Sequence, residues 1–162
     1  MVHYWLRAVQ IAVVLSCSQD VALLSGYGTQ VDRGGSFTPA VRTSAQFPQF
    51  PSISEAIFVW ESDSESLGTY TFVHTFTIST WLISRITKVT LWIAVDDTYV
   101  ARMNGHTVGS GPYFVVGEYD VPISWLVGAN STHYIANKLE MDVTNDLVYG
   151  GLQYKLLVQT TS

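Results

Sequence analysis

An alternation of residue types over the nine residues from Tyr70 to Ile78 restricts the possible folds more than any other feature of the chain. Every second position carries an aromatic or aliphatic residue or His74, and the positions between them are threonines and Val73. Successive side chains of a β-strand point to opposite faces, so this period of two predicts a strand with one buried face. The threonine face is expected to lie outward.

Other segments are also typical of strands. Val89–Val95 is apolar at consecutive positions, which predicts a strand covered on both sides. Alternation recurs at Leu139–Val143 and at Leu152–Val158. Asn104-Gly105 lies between two short strand-like runs and predicts a tight hairpin turn, because both residue types accept positive φ. Helical periodicity does not extend beyond about two turns anywhere, and Pro122–Gly128 is expected to form one helical turn.

Many strands at short spacing predict an all-β fold, an antiparallel two-sheet sandwich of the jelly-roll kind. The length of 162 residues suits one domain. Within it, residues 19–51 are expected to be loop-rich, with one strand near Thr29–Val31, and residues 52–162 to form the regular sandwich.

Residues 1–18 resemble an export signal, with one firm positive charge, an apolar stretch and small residues at Ser16 and Ser18. The expected location is therefore secreted, extracellular or at the cell surface, without membrane insertion in the mature form. Residues 1–18 have two alternative interpretations. They are either a retained strand that pairs with a sheet edge, or a segment with a lipoprotein-like box at Cys17. Cys17 is the single cysteine, so the chain has no internal disulfide.

Charge excludes some partner classes. The net charge is −5, with eight Lys and Arg residues and no basic run, which argues against nucleic acid and against electrostatic docking on anionic lipid.

Several runs together resemble galactose-binding-like jelly-roll domains over roughly residues 38–160. The runs are Ala56–Glu61, Gly68–Phe72, Thr90–Asp97, Tyr99–Gly105 and Leu139–Asn145. Domains of this family accompany many glycosidases, and several bind sugars, so the resemblance implies a carbohydrate-binding or adhesive role. The inserted polar residues around Asn130–Tyr134 depart from the family pattern.

The sequence does not predict an enzyme. It has no nucleophile elbow, no phosphate-binding glycine loop and no zinc-type histidine pair. His74 lies on the apolar face of its strand and is expected to be a buried, hydrogen-bonded imidazole.

Acidic residues suggest further sites, although no cofactor is expected. Glu61, Asp63 and Glu65 alternate in one loop, where they would form either a solvated acidic loop or an oxygen-ligand site for Ca²⁺. Asp96 and Asp97 close a strand, where they would cap the following turn or bind sugar hydroxyls or a metal. Asn130-Ser131-Thr132 is a glycosylation acceptor in a eukaryotic secretory pathway.

Sugar recognition needs a flat ring beside polar groups. The predicted ligand-binding residues are Asp97, Asn104, His106, Tyr113 and Trp125. They support one hypothesis, a non-catalytic module for glycan binding or adhesion. The alternative is a self-assembling structural subunit of an extracellular filament, sheath or coat, whose partner is another copy of the chain.

Overall fold

The computed structural model describes residues 20–43, 52–62, 66–126, 134–147 and 149–161. The bounds of the strands, in chain order, are β1 Val21–Leu24, β2 Gln30–Asp32, β3 Phe37–Pro39, β4 Val41–Arg42, β5 Val59–Trp60, β6 Gly68–Ser79, β7 Ile86–Asp96, β8 Thr98–Met103, β9 His106–Gly111, β10 Gly117–Asp120, β11 Tyr134–Asn145 and β12 Gly151–Thr160. A short helix, α1, spans Thr80–Ile83, and a single 3₁₀ turn, η1, spans Ile123–Leu126.

The described strands form two antiparallel sheets, which confirms the all-β two-sheet sandwich. Sheet A has the order β10-β7-β12-β5-β4, with β1 also paired to β12. Sheet B has the order β3-β2-β6-β11-β8-β9. Neither described helix is long and apolar enough to cross a membrane.

The core lies between the inner faces of the two sheets. From sheet B, Phe72, Met141 and Ala101 point into it and are fully buried. They are cross-strand neighbours, since Met141 pairs with Phe72 on one side and with Ala101 on the other. Leu91 and Leu156 pair across sheet A and fill the opposite side. Alternation of apolar residues in the long strands therefore produces one continuous core.

Strand β7 is covered on both faces, as the apolar residues on both of its faces predict. Its second face carries Ala94, which packs with Ile53 in a separate small cluster. The polar side chain Gln153 is buried here, although its strand position predicts an outward side chain. Its amide accepts a hydrogen bond from the Ile53 backbone N–H at 3.2 Å and donates one to the Ala56 carbonyl at 3.2 Å. Gln153 thus fixes the covering segment to the sheet.

The N-terminal half contains more strand than its composition indicates. The strand expected near Thr29–Val31 is present as β2, and the described part of residues 19–51 also contributes β1, β3 and β4. Val31 is fully buried and pairs with Phe72. This segment therefore belongs to both sheets. Residues 1–18, with the predicted export signal, lie outside the described residues.

The Asn104-Gly105 turn joins β8 to β9 as predicted, with φ of 49° and 85° at its two residues. The expected helical turn after Pro122 is the 3₁₀ turn η1. The hairpin defines two ends of the sandwich. We call the end that carries Asn104-Gly105 the hairpin end. The opposite end, where β8 begins and β9 finishes, is the groove end.

Candidate functional site

A groove of about 480 Å³ opens on the outer face of sheet B, towards the groove end. Its lining residues are Thr69, Thr98, Tyr99, Val100, Ser110, Gly111, Pro112, Asp142 and Thr144. Pockets that hold small organic ligands are about 300–1,000 Å³ in volume, so the groove is large enough for a short saccharide. Four of its nine lining residues carry a hydroxyl group on a short side chain.

The antiparallel register of three strands brings these side chains together. Thr144 of β11 lies opposite Thr69 of β6 and Thr98 of β8, and Asp142 lies opposite Thr71 and Val100. Residues directly opposite each other on neighbouring strands share a face. The Thr69 and Thr144 hydroxyls are 2.8 Å apart and hydrogen-bonded. The floor of the groove therefore carries a row of hydroxyls, in which those of Thr69 and Thr144 hold each other in place.

Asp142 is the single carboxylate among the lining residues, and both of its oxygens are engaged. Oδ1 accepts a hydrogen bond from the Thr71 hydroxyl at 2.8 Å. Oδ2 accepts one from the Arg102 guanidinium at 2.6 Å. Arg102 also lies 3.6 Å from Glu140, which is itself 2.7 Å from Lys138. The charges on this face thus form a self-neutralising row that begins at the groove.

Tyrosine hydroxyls hold the β9 wall of the groove. The Tyr99 and Tyr119 hydroxyls are 2.8 Å apart, and the Tyr119 hydroxyl donates to the Ser110 carbonyl at 2.8 Å. Burial, together with the hydrogen bond and charge of Tyr119, raises the pKa of Tyr99, so this hydroxyl stays protonated at neutral pH. Tyr119 belongs to β10 of sheet A, so the pair joins the two sheets across their edges.

Glycines make room for these two rings. A Cβ atom on Gly109 would lie 2.2 Å from the Tyr119 ring, and one on Gly117 would lie 2.1 Å from the Tyr99 hydroxyl. Neither contact is sterically acceptable, so these positions require glycine for close approach rather than for an unusual φ.

Three of the predicted ligand residues lie at the hairpin end. Among them, Asn104 is held by three hydrogen bonds: Nδ2 donates to the Trp125 carbonyl at 2.6 Å and to Asn137 Oδ1 at 2.8 Å, and Oδ1 accepts from the Lys138 N–H at 2.8 Å. Its side chain therefore connects the hairpin turn to η1 and β11. This internal role leaves its amide no spare donor for a ligand.

His106 and Trp125 stack on each other beside Asn104. Their ring centroids are 4.9 Å apart and their planes differ by 14°. His106 thus covers one face of the indole, and only part of the Trp125 ring remains exposed. Asn104, His106 and Trp125 do lie together, as a shared ligand site would require, but their contacts are with one another and with the fold.

Asp97 and Tyr113 lie at the other end of the same hairpin. β8 separates Asp97 from Asn104 by six residues, which is about 20 Å in an extended strand. The five predicted residues therefore do not form one patch. The reason is geometric: they belong to opposite ends of β8 and β9.

Asp97 has the capping role that its position allows. It is buried, and its Oδ2 accepts a hydrogen bond from the Asp146 backbone N–H at 2.7 Å. Its own N–H donates to the Thr144 carbonyl at 2.7 Å. Burial raises the pKa of the neighbouring Asp96 to about 7, with further contributions from the hydrogen bond to Asp97 and repulsion by its charge. The Asp96 carboxyl therefore gains or loses its proton near neutral pH, inside the loop rather than in the groove.

Tyr113 is 53% exposed and directly follows Pro112, the lining residue just after β9. Its ring makes an edge contact with Phe114 at 5.0 Å between centroids. Of the five predicted ligand residues, Tyr113 is the one that the structure places beside the groove with an exposed ring.

Solved structures with a similar fold belong to β-glucuronidases. One is the Ruminococcus gnavus β-glucuronidase in complex with uronic isofagomine, with a TM-score of 0.54 and 12% identity, covering 90% of this chain and 30% of that one. The same enzyme in complex with D-glucuronic acid gives a TM-score of 0.53 at 12% identity, with the same coverage. A calcium-binding mutant of Bacteroides uniformis β-glucuronidase 2 gives 0.52 at 14% identity, covering 85% of this chain and 18% of that one.

These likenesses show the β-sandwich fold alone. The chain spans less than a third of the length of those enzymes. No protein-family profile matches the chain, and no curated protein matches it.

The predicted calcium loop is only partly described. Glu61 lies 3.5 Å from Arg33 and accepts a hydrogen bond from Ser62 at 2.6 Å. Asp63, Glu65 and the glycosylation acceptor Asn130 lie outside the described residues. Within the described ranges, no three His, Cys, Asp or Glu side chains are grouped closely enough to hold a metal ion. Calcium binding and glycosylation stay predictions.

His74 is hydrogen-bonded, as its strand position predicts, but it is half-buried rather than buried. Nδ1 lies 2.6 Å from the Tyr154 hydroxyl, which is also 2.7 Å from the Thr29 hydroxyl. Burial lowers the pKa of His74 to about 4, so it is neutral at pH 7. The chain of three side chains joins β6, β12 and the start of β2.

Two features of the groove end carry no recognisable sequence signal. The groove floor consists of isolated Thr and Ser residues from four strands, which are brought together only by register. Exposed apolar residues also gather at this end, namely Leu67, Tyr113, Phe114, Val115, Leu147 and Tyr149. They come from three loops that are far apart in the sequence, so no local pattern reveals their proximity.

Proposed function

We propose that the chain is a non-catalytic, extracellular glycan-binding module whose site is the hydroxyl-lined groove on sheet B. The observation that carries the proposal is the pairing of that groove with the exposed ring of Tyr113. The hydroxyls and the carboxylate of the groove can exchange hydrogen bonds with sugar hydroxyls. An exposed aromatic ring can stack on the apolar face of a pyranose.

The chemistry of the groove favours binding over hydrolysis. Most glycosidases use two carboxyl groups on either side of the scissile bond. The lining residues supply one, Asp142, and its two oxygens are held by Thr71 and Arg102. The groove is therefore suited to holding a saccharide without cleaving it.

The family resemblance in the sequence agrees with this proposal. We propose that the sandwich is galactose-binding-like on its Asp96-Asp97 and Asn104-Gly105 pattern, which identifies a fold rather than a ligand; several domains of that fold bind sugars. The export-like N-terminus supports an extracellular location, where glycans are the expected partners. The scarcity of Lys and Arg supports the absence of nucleic acid among the partners.

A glycan array with three proteins tests the proposal. Wild type is expected to bind a restricted set of glycans, and Tyr113→Ala is expected to lose most of that signal. Trp81→Ala is the matched control, because Trp81 is 46% exposed in α1 at the hairpin end, away from the groove. An array without wild-type signal, or equal loss in both variants, would contradict the groove as a sugar site.

The alternative is a self-assembling structural subunit, and the apolar groove end is the observation that favours it. Large exposed apolar patches mark contact surfaces on soluble proteins. Leu147 is 63% exposed and Leu67 is 60% exposed, and both lie in the loops that meet beside Asn145. A head-to-tail contact through this end would build an open filament.

Light scattering over a wide concentration range tests the alternative. Assembly that Leu147→Ser abolishes, and that Trp81→Ser leaves unchanged, would support it. A protein that stays monomeric at all concentrations, with a positive glycan array, would reject it.

A further inference from the structure

We infer that the groove accepts neutral saccharides and excludes those that carry a carboxylate, such as uronic acids. This inference rests on the proposed glycan-binding function and names its substrate class.

Among the described residues, the lining of the groove offers a carboxylate no cationic partner. None of its nine lining residues is Lys, Arg or His. A saccharide carboxylate in the groove would lose part of its hydration without a compensating ion pair, which is unfavourable. Neutral sugar hydroxyls do not carry this cost, because the hydroxyl side chains of the groove floor can replace their bonds to water.

The cation that contacts a lining residue, Arg102, is already neutralised. The Arg102 guanidinium binds Asp142 at 2.6 Å and lies 3.6 Å from Glu140. Lys138, further along the same face, is engaged by Glu140 at 2.7 Å. Asp142 therefore has two roles: it presents an acceptor to the groove and it prevents Arg102 from acting as an anion-binding residue.

One further acidic residue lies near the groove. The exposed Asp146 follows β11 two residues after Thr144, at the groove end. Its charge disfavours an approaching anion. Arg33, the cation at the start of the loop after β2, is 3.5 Å from Glu61. Electrostatics and desolvation thus act in the same direction.

Replacement of Asp142 by asparagine should reverse the selectivity. The asparagine side chain retains an oxygen that can accept from Thr71, and its size is nearly that of aspartate, so the fold is expected to persist. Arg102 loses its closest counter-charge and becomes available to a ligand carboxylate. The matched control is Asp120→Asn, which removes an equal charge from an exposed ion pair with Lys88 on sheet A.

The test is isothermal titration with paired probes that differ only at C6. The probes are neutral gluco-, galacto- and manno-oligosaccharides and their C6-oxidised uronate counterparts. Wild type and Asp120→Asn are expected to bind a neutral member at least about tenfold more tightly than its uronate, because the uronate carboxylate stays unpaired in the groove. Asp142→Asn is expected to reduce that ratio to near one.

Each outcome either supports or overturns the inference. Uronates that bind wild type as tightly as their neutral partners would overturn it while supporting the proposed function. The inference would also fall if Asp142→Asn left the ratio unchanged although circular dichroism showed the variant to be folded. Binding of no member of either series would refute the glycan-binding function, and the inference with it.

Discussion

Asn104 provides the sharpest test of how the hairpin end is held together. The substitution Asn104→Gly preserves the positive φ of 49° and removes all three side-chain hydrogen bonds. Glycine adopts that φ without strain, so the loss of stability reports the side chain and the smaller cost of ordering a glycine backbone. At about 1 kcal/mol net for each bond, the free energy of unfolding should fall by about 3 kcal/mol.

Related substitutions separate the contributions. Asn104→Ala should cost about 1 kcal/mol more than the glycine variant, because alanine is strained in the left-handed region. Asn104→Asp replaces the donor amide with an acceptor that faces the Trp125 carbonyl and Asn137 Oδ1, so it should destabilise at least as much as glycine. Gly105→Ala is the control for turn strain, because its φ is +85° and a Cβ there meets nothing within 4 Å.

Urea unfolding at pH 7, followed by tryptophan fluorescence and circular dichroism together, measures these differences. If Asn104→Gly reduces the free energy of unfolding by less than about 1 kcal/mol, the three bonds do not stabilise the fold. The structural role assigned to Asn104 would then be wrong, and its amide would again be a candidate ligand group.

Three further predictions concern the sheet edges and the buried titratable groups. Tyr119→Phe removes the hydrogen bonds to the Tyr99 hydroxyl and to the Ser110 carbonyl. The free energy of unfolding should therefore fall by about 1–2 kcal/mol, and glycan affinity should also fall. An unchanged urea midpoint would contradict this prediction. Gly109→Ala should lower the free energy of unfolding by about 1–3 kcal/mol, because its Cβ would clash with the Tyr119 ring. Gly34→Ala has open space around its Cβ, so it should lower the free energy of unfolding by about 1–2 kcal/mol through its φ of +69° alone and leave glycan affinity unchanged. Loss of glycan binding in Gly109→Ala but not in Gly34→Ala is the expected result. His74 and Asp96 should have opposite pH dependences between pH 4 and 7. The folded pKa of His74 is about 4, below its usual 6.5, so the stability that neutral His74 contributes is lost as pH falls through this window. The folded pKa of Asp96 is about 7, above its usual 3.8, so the stability that protonated Asp96 contributes is lost as pH rises. Relative to wild type, the stability of Asp96→Asn should therefore rise from pH 4 to pH 7, by roughly 2 kcal/mol, and that of His74→Gln should fall; parallel curves for the two variants would refute the assignments.

The long strands could be predicted from the sequence because their alternation directly encodes which side faces the core. Tyr70–Ile78, Leu139–Val143 and Leu152–Val158 all lie in the strands β6, β11 and β12. The hairpin at Asn104-Gly105 could be predicted equally well, since few sequences favour positive φ at two consecutive residues. Gln153 is the exception within these strands, because its burial depends on a covering segment a hundred residues away.

The site was less predictable, because proximity in a sheet depends on register. Asp97 and Asn104 are near in sequence but at opposite ends of β8, whereas Thr69 and Thr144 are 75 residues apart and hydrogen-bonded. Aromatic residues attract attention as sugar platforms, yet Trp125 is covered by His106. Of the predicted ligand residues, Tyr113 alone lies beside the groove with an exposed ring.

Nuclear magnetic resonance would show where a glycan binds, and so whether the groove is the site. Backbone amide shifts of the labelled protein would be followed during titration with the best-bound glycan from the array. We expect the perturbed amides to be those of Thr69, Thr98, Ser110, Gly111 and Thr144, with Tyr113 beside them. Shifts confined to His106 and Trp125 at the hairpin end would contradict the proposed site, as would saturation without any shift in the groove.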